Sequence, residues 1–206
     1  MPNIAINPVT HFTPVSYKPD ISKKSTVQPN ASVIGAVILS DGVLVSPFAS
    51  IRGDEGTPIF IGKNSNVQDG VVIHGLEHEL ISEKGLGYSV YIGENVSLAH
   101  QAQVHGPAKV GNNSFVGMQG FVFKSEIGDN VVIEPCAKVI GVKIPSGRYV
   151  PAGEIIKTQE QADKLPIITP DYKFKNLNNN VVEVNKQLNN GYKSIFQAYP
   201  TNYYIN

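Results

Sequence analysis

Aliphatic residues recur at every sixth position over most of this chain, and that period admits few folds. Ile21, Val27, Val33, Leu39, Val45 and Ile51 form the first run. The phase slips across the segment RGDEGTP and resumes at Ile61, Val67 and Ile73. After an insertion it continues through Ile92, Leu98, Val104, Val110, Val116 and Val122, and single-residue deletions reset it to Ile127, Ile133 and Val139 and then to Ile144, Val150 and Ile156. A six-residue period matches neither a 3.6-residue helix nor the two-residue alternation of a lone strand. It suits a short strand and a corner, repeated, with the aliphatic anchor pointing inward. Four residues after many anchors stands a small or β-branched residue (Ser25, Ala31, Val37, Val43, Ala49, Ala102, Ala108, Ser114, Ala137) that a narrow interior also accepts. Gly, Asn and Asp cluster between them, as in IGKNSN and IGDN, and tolerate the positive φ of tight corners. The expected fold is therefore an all-β solenoid, a hexapeptide-repeat parallel β-helix, and 21 anchors at three per coil give about seven coils. Solenoids of this class are left-handed.

The period sets the boundaries. Residues 1–20 form an N-terminal extension, 21–157 the β-helix, and 158–206 a C-terminal segment packing on it. Within that segment Thr158 and Gln161 have capping-box spacing, which predicts a short helix. Val181, Val184, Leu188, Tyr192 and Ile195 recur every three or four residues and predict an amphipathic α-helix whose apolar stripe lies on the solenoid, with NLNNN at its start.

Composition closes off other classes. Seventeen Lys+Arg balance 17 Asp+Glu, so no global positive field draws nucleic acid. One cysteine, Cys136, excludes an intrachain disulfide framework or a multi-cysteine metal site. No apolar run reaches membrane-spanning length, and the N-terminus lacks the pattern of a secretory signal, so the expected location is cytoplasmic.

The chemistry concentrates around three of five histidines. His11 and His78 read as surface residues. His74 and His105 share one hexad phase, each directly after its anchor, so they sit at equivalent points of the coil. His100 has a different phase and aims elsewhere. Three neutral imidazoles with an open fourth position make a hydrolytic or hydration-type zinc centre. One chain alone need not bring in the third, but a neighbour packed about a threefold axis can. Arg52, Asp54 and Glu55 lie together at the first phase slip, Gln68 and Asp69 precede His74, and Glu77 and Glu79 open the insertion after it. The bland reading of Arg52 with Asp54 is a surface ion pair, and Asp69 is placed to fix an imidazole or an arginine.

These segments, SPFASIRGDEGTPIFIG, NSNVQDGVVIHGLE, YIGENVSLAHQAQVHGPAKVG and GMQGFVFKS, resemble the gamma-class carbonic anhydrases, in their archaeal form rather than the shorter loop-less one. The resemblance runs from about Val27 to Tyr192. It implies reversible hydration of carbon dioxide to bicarbonate and a proton by a metal-bound hydroxide, in a homotrimer with one metal per subunit interface. Zinc is the implied metal, and iron(II) and cobalt suit the same imidazoles. His74 and His105 would come from one subunit and His100 from its neighbour, with Arg52 and Asp54 paired across the interface. Gln68 and Glu55 would bind the metal's water or bicarbonate, Asn185 would contribute to the carbon dioxide pocket, and Glu77 would shuttle the proton. Two departures stand out: the acidic loop between His74 and Tyr91 is shorter than in the archaeal form, and Glu183 replaces an aromatic residue. Two rival readings share the fold: a hexapeptide acyltransferase acting with acyl-CoA, which needs only one catalytic histidine, and a non-catalytic scaffold subunit, which does not need the intact histidines.

Overall fold

The computed structural model describes residues 1–198; residues 199–206 of the expected C-terminal segment lie outside that description. Each coil contributes one short strand to each of three parallel sheets. The first face stacks Asp20–Ile21, Val37–Leu39, Ile59–Ile61, Val90–Ile92, Ala108–Val110, Glu126–Ile127 and Lys143–Ile144. The second runs from Thr26–Val27 through Asn66–Val67 and Ser97–Leu98 to Tyr149–Val150. The third runs from Ser32–Gly35 through Ser50–Gly53, Val72–His74 and Gln103–His105 to Ile155–Ile156, and gains an eighth rung where Asn3–Ala5 pairs parallel to Ser32–Ile34. The chain is thus a parallel β-solenoid of seven coils with one additional strand.

The hexad anchors are the core. On the third face Val33, Ile51, Ile73, Val104, Val122, Val139 and Ile156 lie in one vertical register. The other faces hold equivalent ladders, and of all 21 anchors only Ile21 and Val27, on the first coil, are partly exposed. Burying each such side chain contributes about 1.5–3 kcal/mol. The small residues four positions on are inside as well, Ala31, Ala102, Ala108 and Ala137 at zero exposure. Where that residue is serine, its hydroxyl stitches coils together: Ser65 Oγ donates to Gly93 O and accepts from Val96 N–H. Corner residues Asn30, Asn64, Asn95, Asn113 and Asn130 adopt positive φ, the left-handed conformation that asparagine tolerates.

Two insertions leave the solenoid at the corner between the third and first faces. The first is the RGDEGTP segment. The second, after His74, carries an antiparallel hairpin of Ile81–Glu83 and Leu86–Tyr88. The loops touch at Gly56, where an added Cβ would stand 2.5 Å from the Gly75 carbonyl carbon, so that close approach requires glycine.

Helix α1, Gln159–Asp163, starts at Thr158 with a complete capping box to Gln161. Helix α2, Leu177–Ala198, lies over the second face and runs back toward the first coil. The face it presents differs from the expected one. Val184, Leu188 and Ile195 are 55%, 44% and 41% exposed, whereas Asn178, Val182, Asn185 and Asn189 are buried. The surface beneath explains the exchange. Its outward row includes the polar Thr26, Asn66 and Ser97, and its corner offers carbonyls: Asn178 donates to Asn95 O and Asn189 to Lys24 O. The asparagine run expected at the helix start forms its first turn, with Asn178 buried on the solenoid and Asn179 and Asn180 exposed. Among the described residues no helix is long and apolar enough to cross a membrane.

Candidate metal centre

On the third face the positions next to the anchors point outward, and one column of them reads Arg52, His74, His105, Phe123. Equal hexad phase thus stacks the two imidazoles on adjacent coils. His74 Nδ1 stands 3.4 Å from His105 Nε2, and the rings meet edge to face. His105 Nδ1 faces its neighbour's carbonyl, Gly106 O, at 3.2 Å, and its Nε2 is the ring nitrogen turned toward His74. His74 Nε2 is approached by Arg52 Nη2 and Asp54 Oδ1, each at 3.2 Å, and by Glu55 Oε2 at 3.7 Å. Burial first, and then the Arg52 guanidinium, push the His74 imidazole below its usual range; Asp54 and Glu55 oppose that shift. His74 is therefore held neutral, the form that donates a lone pair.

This donor set fits a tetrahedral metal ion. Two nitrogens about 2.0–2.1 Å from such an ion stand about 3.3–3.4 Å apart, the separation His74 and His105 already have. A third donor is missing from the cluster, and among the described residues no group of three His, Cys, Asp or Glu side chains forms a metal site. His100 lies at the corner between the second and third faces, half exposed, with Nδ1 3.0 Å from Asp69 Oδ2. That contact orients the ring and leaves Nε2 free.

The remaining residues divide by place. Arg52 and Asp54 approach within 3.8 Å inside one chain. Gln68 is buried and, with His100 and Glu134, lines an otherwise apolar concavity of about 360 Å³ walled by Phe115, Met118, Val132, Phe174 and Val181. Asn185, buried on α2, donates to its own helix at Val181 O. Glu77 is half-buried on the second inserted loop with no hydrogen bond or ion pair among the described residues, whereas Glu79 is tied to Lys124 and Glu83 to Lys109. Glu183 is exposed and bonded by Gln187.

Two contributors escape a reading of the sequence. Asn66, 1% exposed, accepts from Gln68 Nε2 and donates to Ser97 Oγ, both at 2.9 Å, and so fixes the Gln68 amide. Its only signal is a polar residue just before an anchor on a face that the helix covers. Thr13 donates to Glu55 O at 3.2 Å from the N-terminal loop 8–17. Asn7 cinches that loop through bonds to Pro8 O, Val15 O and Tyr17 N–H.

No family model matches the chain. The carbonic anhydrase of Methanosarcina thermophila is 53% identical over 201 residues, an alignment covering 93% of this chain and 81% of that protein. The carboxysome assembly protein CcmM of a Nostoc species is 42% identical over 173 residues; that match takes 84% of this chain but 31% of CcmM. Among solved structures, a hexapeptide transferase family protein from Anaplasma phagocytophilum superposes with a TM-score of 0.67, covering 87% of this chain and 94% of its own. At 22% identity, that likeness shows the fold alone.

Proposed function

Since this chain belongs to the gamma-class carbonic anhydrase family, we propose that it interconverts carbon dioxide and water with bicarbonate and a proton, at metal centres shared between subunits of a trimer. The observation that carries this reading is the imidazole pair, with His105 Nε2 3.4 Å from Nδ1 of a His74 whose burial disfavours its charged form. Each chain offers two such ligands on one face and a third, His100, at the next corner. Packing about a threefold axis would bring one chain's corner to its neighbour's face, giving three imidazoles and an open fourth position. Zinc, when bound there, supplies the Lewis acidity that lowers the pKa of water to about 7; iron(II) or cobalt suits the same ligands.

The chain's own residues would do the rest. Asp69 holds the His100 ring through Nδ1, and Asp54, accepting from Nε2–H, holds His74 with its Nδ1 lone pair free. Glu55, beside His74, accepts a hydrogen bond from the reacting water and takes its proton. Gln68 is neutral at every pH; with Nε2 anchored on Asn66, it offers its Oε1 and second amide hydrogen to bicarbonate. The largely apolar concavity it lines, walled in part by Val181 on the helix that also carries Asn185, would receive carbon dioxide. Glu77, unpaired on the inserted loop, passes the proton to buffer. The CcmM relative keeps the scaffold reading in view, but here the histidines, carboxylates and Gln68 are all present.

The test is metal content and carbon dioxide hydration of protein purified without air, together with its sedimentation. The expected protein is a trimer with one metal per chain, and His100→Ala loses metal and activity while remaining folded. A monomer that holds one tight metal per chain would overturn the shared centre.

A further inference from the structure

Away from the histidines, helix α2 and the corner between the first and second faces enclose a concavity of about 410 Å³, lined by Lys24, Asp41, Lys63, Lys186, Asn189 and Lys193. We propose that this concavity is a binding site for a small phosphorylated anion carrying two or more negative charges.

Charge is the first argument. A chain with equal numbers of acids and bases gathers four lysines here around a single carboxylate. Asp41 is already occupied, accepting from Ser22 Oγ and Lys24 Nζ. Lys63, Lys186 and Lys193 have no ion pair or hydrogen bond from their ammonium groups among the described residues. The helix dipole does not account for the two on α2, because its influence falls off within the last turn, and that turn carries no basic residue.

Position is the second argument. Lys186 and Lys193 are seven residues apart, two turns along one face of α2, and both are half-buried rather than extended into solvent. Lys24, Asp41 and Lys63 come from three successive coils at one corner. Asn189 joins the two sides. It is 3% exposed, its Nδ2 donates to Lys24 O at 3.0 Å, and its backbone carbonyl faces Thr26 Oγ1 at 3.5 Å. The ammonium groups of helix and solenoid are thereby held around a preformed space.

The chemistry selects the class. Ammonium groups act as separated point charges suited to phosphate, whereas no arginine fork is present to grip a planar carboxylate. The volume lies within the range of small-molecule sites. No aromatic ring lines the space to stack a base.

The experiment titrates holoenzyme with inorganic pyrophosphate at constant ionic strength, followed by calorimetry and phosphorus NMR. One pyrophosphate should bind per chain, and Lys63→Glu/Lys193→Glu should weaken it roughly tenfold or more, the scale of losing charge-assisted contacts, with carbon dioxide hydration unchanged. Affinity should be the same in His105→Ala, which separates this site from the metal centre. Wild-type affinity in the double charge variant, equal competition by chloride, or binding that His105→Ala abolishes would each overturn the proposal. So would tighter binding to phosphatidylserine vesicles than to pyrophosphate, since the surface would then serve a membrane.

Discussion

Replacing Asn66 by valine should separate what that residue does for stability from what it does for catalysis. Asn66 and Ser97 are at most 1% exposed, and Gln68 is 8% exposed. The substitution removes two hydrogen bonds of 2.9 Å and leaves the Ser97 hydroxyl buried without the Asn66 donor. An orphaned buried polar group costs about 1–3 kcal/mol. Gln68, 8% exposed, can recover part of its loss from water, so a total of about 2 kcal/mol is expected. Ser97→Ala alone should cost about 1 kcal/mol, and adding it to Asn66→Val should recover much of the orphan's share. The cycle should therefore show a coupling of about 1–2 kcal/mol, well beyond the ~0.5 kcal/mol scatter of independent sites. Denaturant unfolding of all four proteins with equal metal loading measures this. In stopped-flow hydration assays, Asn66→Val should lower kcat/KM more than tenfold, because Gln68 loses its mooring, whereas Ser97→Ala should lower it much less. Additive stabilities, or a metal-loaded Asn66→Val with wild-type kcat/KM, would refute the reasoning.

Three other substitutions probe separate features. Glu77→Ala should depress kcat far more than kcat/KM, and added imidazole should restore kcat; equal losses in both constants without rescue would move proton export to Glu79 or Glu83. Thr13→Val removes the bond to Glu55 O and should lower kcat/KM several-fold with metal content intact, and Thr13→Ser should recover it; no change in kcat/KM would mean that the N-terminal loop does not position Glu55. Burial, together with its hydrogen bond to Glu134, holds the Tyr172 hydroxyl well above its usual range. The folded protein thus keeps a proton that the unfolded chain releases above about pH 10, so this stabilisation is complete below pH 10 and declines as pH rises beyond it. Unfolding curves of wild type and Tyr172→Phe should converge on the alkaline side, and a constant difference from pH 8 to 11 would contradict that assignment.

The solenoid was legible because one residue type at one period meets one physical demand. Each anchor must fill the same narrow interior, so Ile73, Val104 and Val122 announce their stacking in the primary sequence. Equal phase likewise places His74 over His105. The covering helix was harder to read. Its apolar residues recur at helical spacing, but the surface beneath presents carbonyls at Asn95 and Lys24, and asparagines meet those better than valines. Asn66 was illegible for a related reason, since a polar residue ahead of an anchor faces solvent unless something covers it. Thr13 reaches Glu55 across 42 residues, a contact that no local pattern encodes.

The hairpin that interrupts the coils has an evolutionary consequence. His105 and Phe123 pair across one coil of 18 residues, whereas His74 and His105 pair across 31, yet their strands keep the same register. The extra chain leaves and rejoins at a corner, so its length is independent of the spacing between the two ring nitrogens. A lineage can lengthen, trim or exchange this excursion, Glu77 included, while the neighbouring strands hold the imidazoles in place. If Glu77 carries the proton as proposed, its delivery would be a replaceable module on a fixed chassis, free to adapt to the buffers and pH of a new habitat without rebuilding the imidazole pair.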